Sequence, residues 1–157
     1  MRLRFAAMFL AVGGLAGLAG AATAQTINLH VGPRLSYNFD AEEFGVGAQL
    51  SVPVARRLEF YPSFDYYFVE PGSLTSLNVD LKYRVPAEGL RWLYVGGGIN
   101  FTRVSFGEFE NTDTGANIIA GYESIRGRVH PFAEFRLTAG DGSQAQISAG
   151  LNFTLGH

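Results

Sequence analysis

The chain has 157 residues, a formal net charge of −2 and no cysteine. This length suits one domain, and so mild an acidic balance excludes the dense basic face that nucleic-acid binding requires. Without cysteine the fold has neither disulfides nor thiolate metal sites, so burial and backbone pairing must stabilise it.

Residues 1–24 have the pattern of an export signal. Arg2 and Arg4 give a basic start, and residues 5–21 are apolar and rich in Gly and Ala. Ala22 and Ala24 then form the A-x-A pattern that a signal peptidase cleaves. We therefore expect a signal peptide over residues 1–24 and one domain over residues 25–157, in which the formal net charge is −4 because two arginines are removed.

The remaining sequence alternates between short strand patterns and turns. Strands are predicted over residues 27–38, 44–54, 58–69, 75–85, 91–102, 115–123, 129–139 and 144–155. Most connections are short and rich in turn-forming residues, so consecutive strands should be antiparallel neighbours in an up-and-down meander. The stretch 103–114 is the exception and is predicted to be the longest loop.

These strands have one apolar face and one face that is polar, small or charged. In the fourth segment the apolar set is Leu77, Val79, Leu81, Tyr83 and Val85, and the polar set is Asn78, Asp80, Lys82 and Arg84. Alternation alone does not identify the inward face. A soluble barrel would turn its apolar faces toward a ligand cavity, and a transmembrane barrel would turn them toward lipid.

Residue size and strand pairing favour a polar interior. Small residues such as Gly45, Gly47 and Ser63 share the charged face, which suits a narrow bore. Folding the third and fourth segments about residues 71–72 brings Glu59 opposite Arg84 and Ser63 opposite Asp80, so that polar face meets polar face. The last two segments, folded about residues 141–143, agree in phase, with Arg136 opposite Ser148 and Glu134 opposite Gly150. The outward belt is then predicted to include Phe60, Phe64, Leu77, Val79, Leu81, Tyr83, Leu151 and Phe153.

Charged residues on the polar face should form a paired network inside the barrel. The predicted members are Glu59, Asp80, Lys82, Arg84, Glu134 and Arg136, and Asp65 and Arg34 are placed on the same face. An ion path or an acid/base site is the alternative, but an eight-stranded barrel is only just wide enough for side chains to fill, and buried charges need partners.

The sequence predicts no catalytic, metal-binding or cofactor-binding residue. His30, His130 and His157 lack partners at metal-ligand spacing, and there is no Gly-x-Ser-x-Gly nucleophile setting. The run Gly96-Gly97-Gly98 lacks the Lys-Ser/Thr of a phosphate loop, and a bend or bulge is predicted there instead. It leaves the phase of the fifth strand open, although we favour Leu93, Val95, Ile99 and Phe101 facing outward.

Several segments resemble the small eight-stranded bacterial outer-membrane barrels of the outer-membrane protein A type. The resemblance is carried by the leader, Phe44 to Val54 with the Arg56-Arg57 turn, Leu77 to Tyr83, Leu93 to Gly98, Pro131 to Phe135 and Leu151 to Phe153. It implies a transmembrane β-barrel in the bacterial outer membrane. Members of that family commonly end on an aromatic residue read by the barrel assembly machinery, whereas here Phe153 is followed by four more residues.

We therefore expect a non-enzymatic outer-membrane barrel with a structural or surface-interaction role and a plugged interior. Its partners would be outer-membrane lipid and the barrel assembly machinery, with no nucleic acid and no cofactor, and its oligomeric state stays open. The alternatives are a lipid-modifying barrel enzyme and a soluble periplasmic barrel that binds an apolar ligand. A contact surface is predicted in the 103–114 loop, at Phe106, Glu108, Phe109 and Glu110.

Overall fold

A computed structural model describes residues 28–155, and these residues form eight β-strands. The strands are β1 Leu29–Asn38, β2 Glu43–Ala55, β3 Leu58–Tyr67, β4 Ser73–Arg84, β5 Leu93–Phe106, β6 Phe109–Glu123, β7 Val129–Gly140 and β8 Gln144–Leu155. The predicted signal peptide, with Ala22 and Ala24, lies outside the described residues, as does His157. No helix within residues 28–155 could cross a membrane.

Each strand pairs antiparallel with its neighbours in sequence, and β1 also pairs with β8, so the sheet closes into a barrel. Across the closing seam, Val31 lies opposite Phe153 and Leu35 lies opposite Ala149. Closure gives every strand two neighbours and removes the free edges that an open sheet would expose. The prediction of an all-β, antiparallel, up-and-down barrel of eight strands is confirmed.

Side chains alternate between an apolar outer surface and a polar interior, as the period-two pattern predicts. On β4 the outward residues are between 36% and 47% exposed: Leu77, Val79, Leu81 and Tyr83. The intervening Asn78, Asp80 and Lys82 are at most 1% exposed. On β5 the outward residues are Leu93, Val95, Ile99 and Phe101, which is the favoured phase, and Tyr94 points inward.

One local prediction was wrong, and a second was wrong in part. Residues 103–106 and 109–114 do not form a long loop but extend β5 and β6 into a hairpin, closed by a tight turn in which Gly107 has a φ of 59°. Backbone pairing continues there although the sequence no longer alternates. The glycines at 96–98 make no bulge, since β4 and β5 pair without interruption. The irregular register lies instead between Pro53 and Ala55.

Strand register differs from the predicted pairing by two residues in both the β3–β4 and the β7–β8 hairpins. Glu59 lies opposite Lys82 rather than Arg84, and Ser63 lies opposite Asn78 rather than Asp80. In the last hairpin Glu134 lies opposite Ser148, and Arg136 lies opposite Gln146. A shift of two keeps every side chain on its face, so the inward and outward sets are unchanged.

The barrel has two ends, which we call proximal and distal. The proximal end carries Leu29 and Leu155, and its rim consists of the turns at residues 56–57, 85–92 and 124–128. The distal rim consists of residues 39–43, 68–72, 103–113 and 141–143. The interior between the rims is the candidate site.

Candidate functional site

A central cluster of five charged side chains fills the middle of the bore. Its members, all at most 2% exposed, are Arg34, Asp65, Asp80, Glu134 and Arg136. Arg34 on β1 lies with Nη2 3.2 Å from Glu134 Oε1 on β7 and with Nε 3.2 Å from Asp65 Oδ1 on β3. Arg136 places Nη2 3.0 Å from the same Glu134 oxygen and Nη1 2.8 Å from Asp80 Oδ2 on β4. Three of these ion pairs therefore join strands that are not neighbours in the sheet.

Neutral groups complete the bonding of the central cluster. Arg34 also donates to Gln49 Oε1 at 3.1 Å and to Ser148 Oγ at 2.6 Å. Tyr94 donates its hydroxyl to Glu134 Oε2 at 2.8 Å. The Arg136–Asp80 contact lacks good hydrogen-bond alignment, so it acts mainly as a charge–charge interaction.

A proximal cluster of two carboxylates and two cations lies between the central cluster and the proximal mouth. Lys82 Nζ lies 3.0 Å from Glu59 Oε2 and 2.8 Å from Glu123 Oε2. Arg84 pairs with the same two carboxylates, placing Nη2 2.9 Å from Glu123 Oε2. The lysine ammonium also sits 4.5 Å from the Tyr61 ring centroid, a cation–π contact. Each carboxylate is thus shared by two cations.

The distal part of the interior is held by a neutral amide cluster. Asn78, Asn100, Thr102, Asn117 and Thr138 are all at most 6% exposed. Asn78 Oδ1 accepts from Asn100 at 2.7 Å and from Asn117 at 3.0 Å, and Thr138 donates to Asn117 Oδ1 at 2.7 Å. These bonds link β4, β5, β6 and β7, so the interior is cross-linked along its length.

All six charged residues singled out in the sequence lie inside the barrel. The structure divides them between the two charged clusters: Glu59, Lys82 and Arg84 in the proximal cluster, and Asp80, Glu134 and Arg136 in the central cluster. The set omitted Glu123, Arg34 and Asp65, which are equally buried. Glu123 lies at the end of a predicted strand, beside a turn, where an acidic residue is usually solvent-exposed. Only the alternation of its strand, which turns Glu123 toward the interior, would have identified it as a member of the network.

The proximal mouth opens into a cavity of about 420 Å³. His30 and His130 stack in its wall with ring centroids 4.8 Å apart. His130 is held between the Ser124 carbonyl at 2.6 Å and Thr154 Oγ1 at 2.8 Å, so both its ring nitrogens are engaged. In the part of the chain that the structure covers, no three His, Asp or Glu side chains are arranged to hold a metal ion.

The two rims carry opposite charge. Eight acids and one arginine lie on the distal rim: Asp40, Glu42, Glu43, Glu70, Arg103, Glu108, Glu110, Asp113 and Asp141. On the proximal rim lie five arginines and one acid: Arg56, Arg57, Glu88, Arg91, Arg126 and Arg128. The formal charges are −7 and +4, and the interior clusters account for −1.

The predicted contact residues Phe106, Glu108, Phe109 and Glu110 lie at the tip of the distal β5–β6 hairpin. Phe109 is 84% exposed and Phe106 is 43% exposed. Glu110 pairs with Arg103 across the hairpin at 2.6 Å, in a solvent-exposed contact. The structure thus presents these residues on a projecting hairpin rather than on a loop.

Several solved structures match this chain in architecture at low sequence identity. The N-terminal β-barrel domain of Pseudomonas aeruginosa OprF matches with a TM-score of 0.64 and 22% identity, over 83% of this chain and 100% of that one. Neisserial surface protein A matches with a TM-score of 0.56 and 14% identity, over 82% and 96% of the two chains. This chain has the fold of the small outer-membrane barrels.

The attachment invasion locus protein Ail of Yersinia pestis also matches, with a TM-score of 0.55 and 14% identity over 85% of this chain and 100% of that one. Ail has additionally been solved in complex with the heparin analogue sucrose octasulfate. No protein-family model matches the sequence, and no curated protein matches it. The likeness therefore concerns the fold alone.

Proposed function

We propose that this protein is a bacterial outer-membrane barrel with a structural or surface-interaction role and a side-chain-plugged interior. The observation that carries the proposal is the inverted distribution of side chains, with charge inside the barrel and large apolar groups outside. In water such an arrangement would expose a continuous apolar surface while burying ions. In a bilayer the apolar surface is solvated by lipid, and the closed sheet leaves no backbone group unpaired at its edges.

The same distribution argues against a soluble barrel that carries an apolar ligand. Such a barrel needs an apolar bore, whereas this bore contains nine charged side chains. The belt on the outside is also too extensive for a typical soluble surface. Leu35, Phe44, Ile118 and Phe135 are each at least 44% exposed on four different strands.

The plugged interior disfavours both wide conduction and turnover. Arg136 on β7 reaches Asp80 on β4, and Lys82 on β4 reaches Glu123 on β6, so side chains from strands that are not neighbours in the sheet meet inside the bore. Among the described residues, His130 engages the Ser124 backbone carbonyl and the Thr154 hydroxyl, so neither of its ring nitrogens is bonded to a serine hydroxyl. A lipid-modifying enzyme would need a reactive polar group open to lipid, and no observation favours one here.

A surface-interaction role would use the distal hairpin, where Phe109 projects among acidic side chains. Ail binds a heparin analogue in its solved complex. The distal rim of this chain has a formal charge of −7, so we expect it to repel sulfated polysaccharides and to favour cationic or apolar partners. Outer-membrane lipid and the barrel assembly machinery are its proposed partners during insertion.

Cell fractionation of a Gram-negative host that expresses the full chain tests the membrane location. We expect the mature protein in the detergent-extracted outer-membrane fraction, with electrophoretic mobility that changes on boiling because the closed barrel resists unfolding. A chain carrying Val79→Lys on the outer belt and one carrying Arg56→Gln on the proximal rim form a matched pair. The first should reduce the outer-membrane yield and the second should not. Recovery of the parent chain in the soluble periplasm would overturn the proposal.

A further inference from the structure

The five arginines of the proximal rim have no described partner. All five guanidinium groups are exposed, and no carboxylate within residues 28–155 lies within 4.0 Å of any of them. The distal rim, by contrast, pairs its one arginine with Glu110. Five cations with no partner among the described residues, at one end of a net acidic protein, raise the question of what neutralises them.

These arginines form a ring rather than a patch. Arg56 and Arg57 lie between β2 and β3, Arg91 lies between β4 and β5, and Arg126 and Arg128 lie between β6 and β7. In an eight-stranded barrel these three turns are spaced around the circumference at one end. A single docked protein would contact one sector of such a ring, whereas a leaflet of lipid headgroups contacts all of it.

Apolar side chains adjoin each group of arginines. Val54, Leu90, Ile125 and Val129 are between 43% and 54% exposed and lie within two residues of an arginine. Trp92 follows Arg91 directly and stacks on Tyr122, with ring centroids 6.1 Å apart. Interleaved arginine, aromatic and aliphatic side chains are typical of the membrane–water interface, where rings sit at headgroup level.

Arginine is also the cation best suited to phosphate. Its planar guanidinium donates two parallel hydrogen bonds to phosphate oxygens and gives up hydration more readily than an ammonium group. The exposed cations of the proximal rim are all arginine, and the lysine of the described chain is buried in the proximal cluster. The chemistry of the ring therefore matches phosphodiester headgroups.

We propose that the proximal rim binds anionic phospholipid headgroups and enriches them around that end of the barrel. This inference rests on the proposed membrane location and adds the class of lipid and the end of the barrel that selects it. The distal rim, with its eight acids, should repel the same headgroups. The two ends thus prefer leaflets of different headgroup charge.

The sequence supplies its own probe, because Trp92 is the single tryptophan of the chain and lies within the ring. The full mature chain is reconstituted in vesicles of phosphatidylcholine containing a minor fraction of phosphatidylglycerol. In parallel samples either the anionic or the neutral lipid carries brominated acyl chains, which quench tryptophan fluorescence on contact. We expect the anionic lipid to quench more strongly at equal mole fraction, with a local excess of about two- to fivefold.

Two variants with five substitutions each serve as test and control. Arg→Gln at Arg56, Arg57, Arg91, Arg126 and Arg128 should remove the excess, and Arg→Lys at the same positions should retain most of it. A third variant, with Glu→Gln at Glu42, Glu43, Glu70, Glu108 and Glu110, changes as many charges at the distal rim and should leave the excess unchanged. High salt should lower the excess in the parent chain because exposed charges are screened.

The possible outcomes distinguish a failure of anionic-lipid binding from a failure of the proposed membrane location. If neither brominated lipid quenches Trp92, the barrel is not in the bilayer and the membrane location itself fails. If both lipids quench equally, in the parent and in the Arg→Gln variant, the barrel is inserted but the anionic-lipid inference is overturned. The arginine ring would then fit an acidic protein in the aqueous phase instead.

Discussion

At the scale of single residues, the two charged clusters differ in how much redundancy they hold. In the proximal cluster Lys82 and Arg84 both contact Glu59 and Glu123, so either cation can be lost without stranding a carboxylate. In the central cluster Asp80 has Arg136 as its one cationic partner among the described residues. Loss of Arg136 would therefore leave the buried Asp80 carboxylate without a cation, which strongly destabilises a fold.

We expect Arg136→Met to lower the free energy of unfolding by ~3–5 kcal/mol, because Asp80 is left buried and unpaired. Arg84→Met should have a smaller effect, since Lys82 still contacts both carboxylates. Arg56→Met, in an exposed turn, should stay within ~0.5 kcal/mol of the parent. Urea titrations of the refolded protein in detergent micelles provide the comparison. Equal midpoints for Arg136→Met and Arg56→Met would contradict the assignment of the central cluster.

The glycines of β5 provide a second test at this scale, because they allow neighbouring strands to approach closely. A Cβ on Gly98 would lie 2.0 Å from the Val79 carbonyl oxygen and 2.6 Å from Asp80 Cα. Backbone atoms cannot move aside, so Gly98→Ala should destabilise the barrel by ~1–3 kcal/mol. Gly142→Ala is the control, since the nearest atom there is 3.6 Å away. Comparable unfolding midpoints for the two variants would show that β4 and β5 separate more easily than the structure implies.

At the scale of the element, each strand is a two-faced ribbon whose outer face changes in character along its length. On β4 the aliphatic residues Leu77, Val79 and Leu81 lie in the middle, and Tyr83 lies near the proximal rim. Tyrosine prefers the membrane interface, where its hydroxyl reaches water. The order of residues along β4 therefore indicates how deep in the membrane each outward side chain lies.

A lysine on the outer face of β4 should have a cost that depends on depth. Val79→Lys should destabilise the barrel by ~2–4 kcal/mol, whereas Tyr83→Lys should cost ~0–1 kcal/mol, because a charge near the interface can reach water. Reversible unfolding from lipid vesicles measures both. Equal small costs at the two positions would indicate that the outer face of β4 is in contact with water.

Single cysteines along β4 give an independent measure of orientation, since the chain has no native cysteine. In vesicles, a fluorophore attached to a cysteine at position 77, 79 or 81 should be quenched by lipid-soluble reagents. The free cysteines at these positions should be protected from a water-soluble maleimide. Cysteines at positions 78 and 80 should be protected from lipid because those side chains are buried in the bore. The opposite labelling pattern would mean that the polar face meets lipid.

At the scale of the whole molecule, the charges are sorted into three zones along the barrel. The distal rim is acidic, the interior is nearly neutral through pairing, and the proximal rim is basic. Self-repulsion within each rim is limited because the charges are exposed and screened by salt. The two ends of the barrel therefore have different electrostatic surroundings. The small net charge of the chain does not indicate this separation, because the opposite charges of the two rims largely cancel.

The cross-linked interior predicts that the parent barrel conducts poorly. In planar bilayers we expect no large, long-lived currents, because ion pairs such as Arg136–Asp80 and Lys82–Glu123 fill the bore and join strands that are not neighbours in the sheet. The control is a wide porin inserted under the same conditions. Stable currents of comparable size from the two proteins would remove the idea of a plugged interior.

The sequence by itself determined the number of strands, their antiparallel order and which residues face inward. Alternation and turn chemistry depend on residues close in sequence. A register error of two residues, as between Glu59 and Arg84, leaves every side chain on its predicted face. The six interior charges were identified on this basis. The hairpin at residues 103–114 was predicted as a loop because β5 and β6 continue beyond the segments in which the sequence alternates.

Apart from the Glu59–Arg84 contact, only the tertiary structure decided the charge partners. Which carboxylate meets Arg136 depends on the tilt and stagger of strands around the closed barrel, and β4 and β7 are far apart in sequence. The same holds for Glu123, whose role depends on Lys82 reaching it across the bore. The sorting of eight acids and five arginines to opposite rims is also a tertiary property, because it appears only when alternate turns are brought to the same end of the barrel.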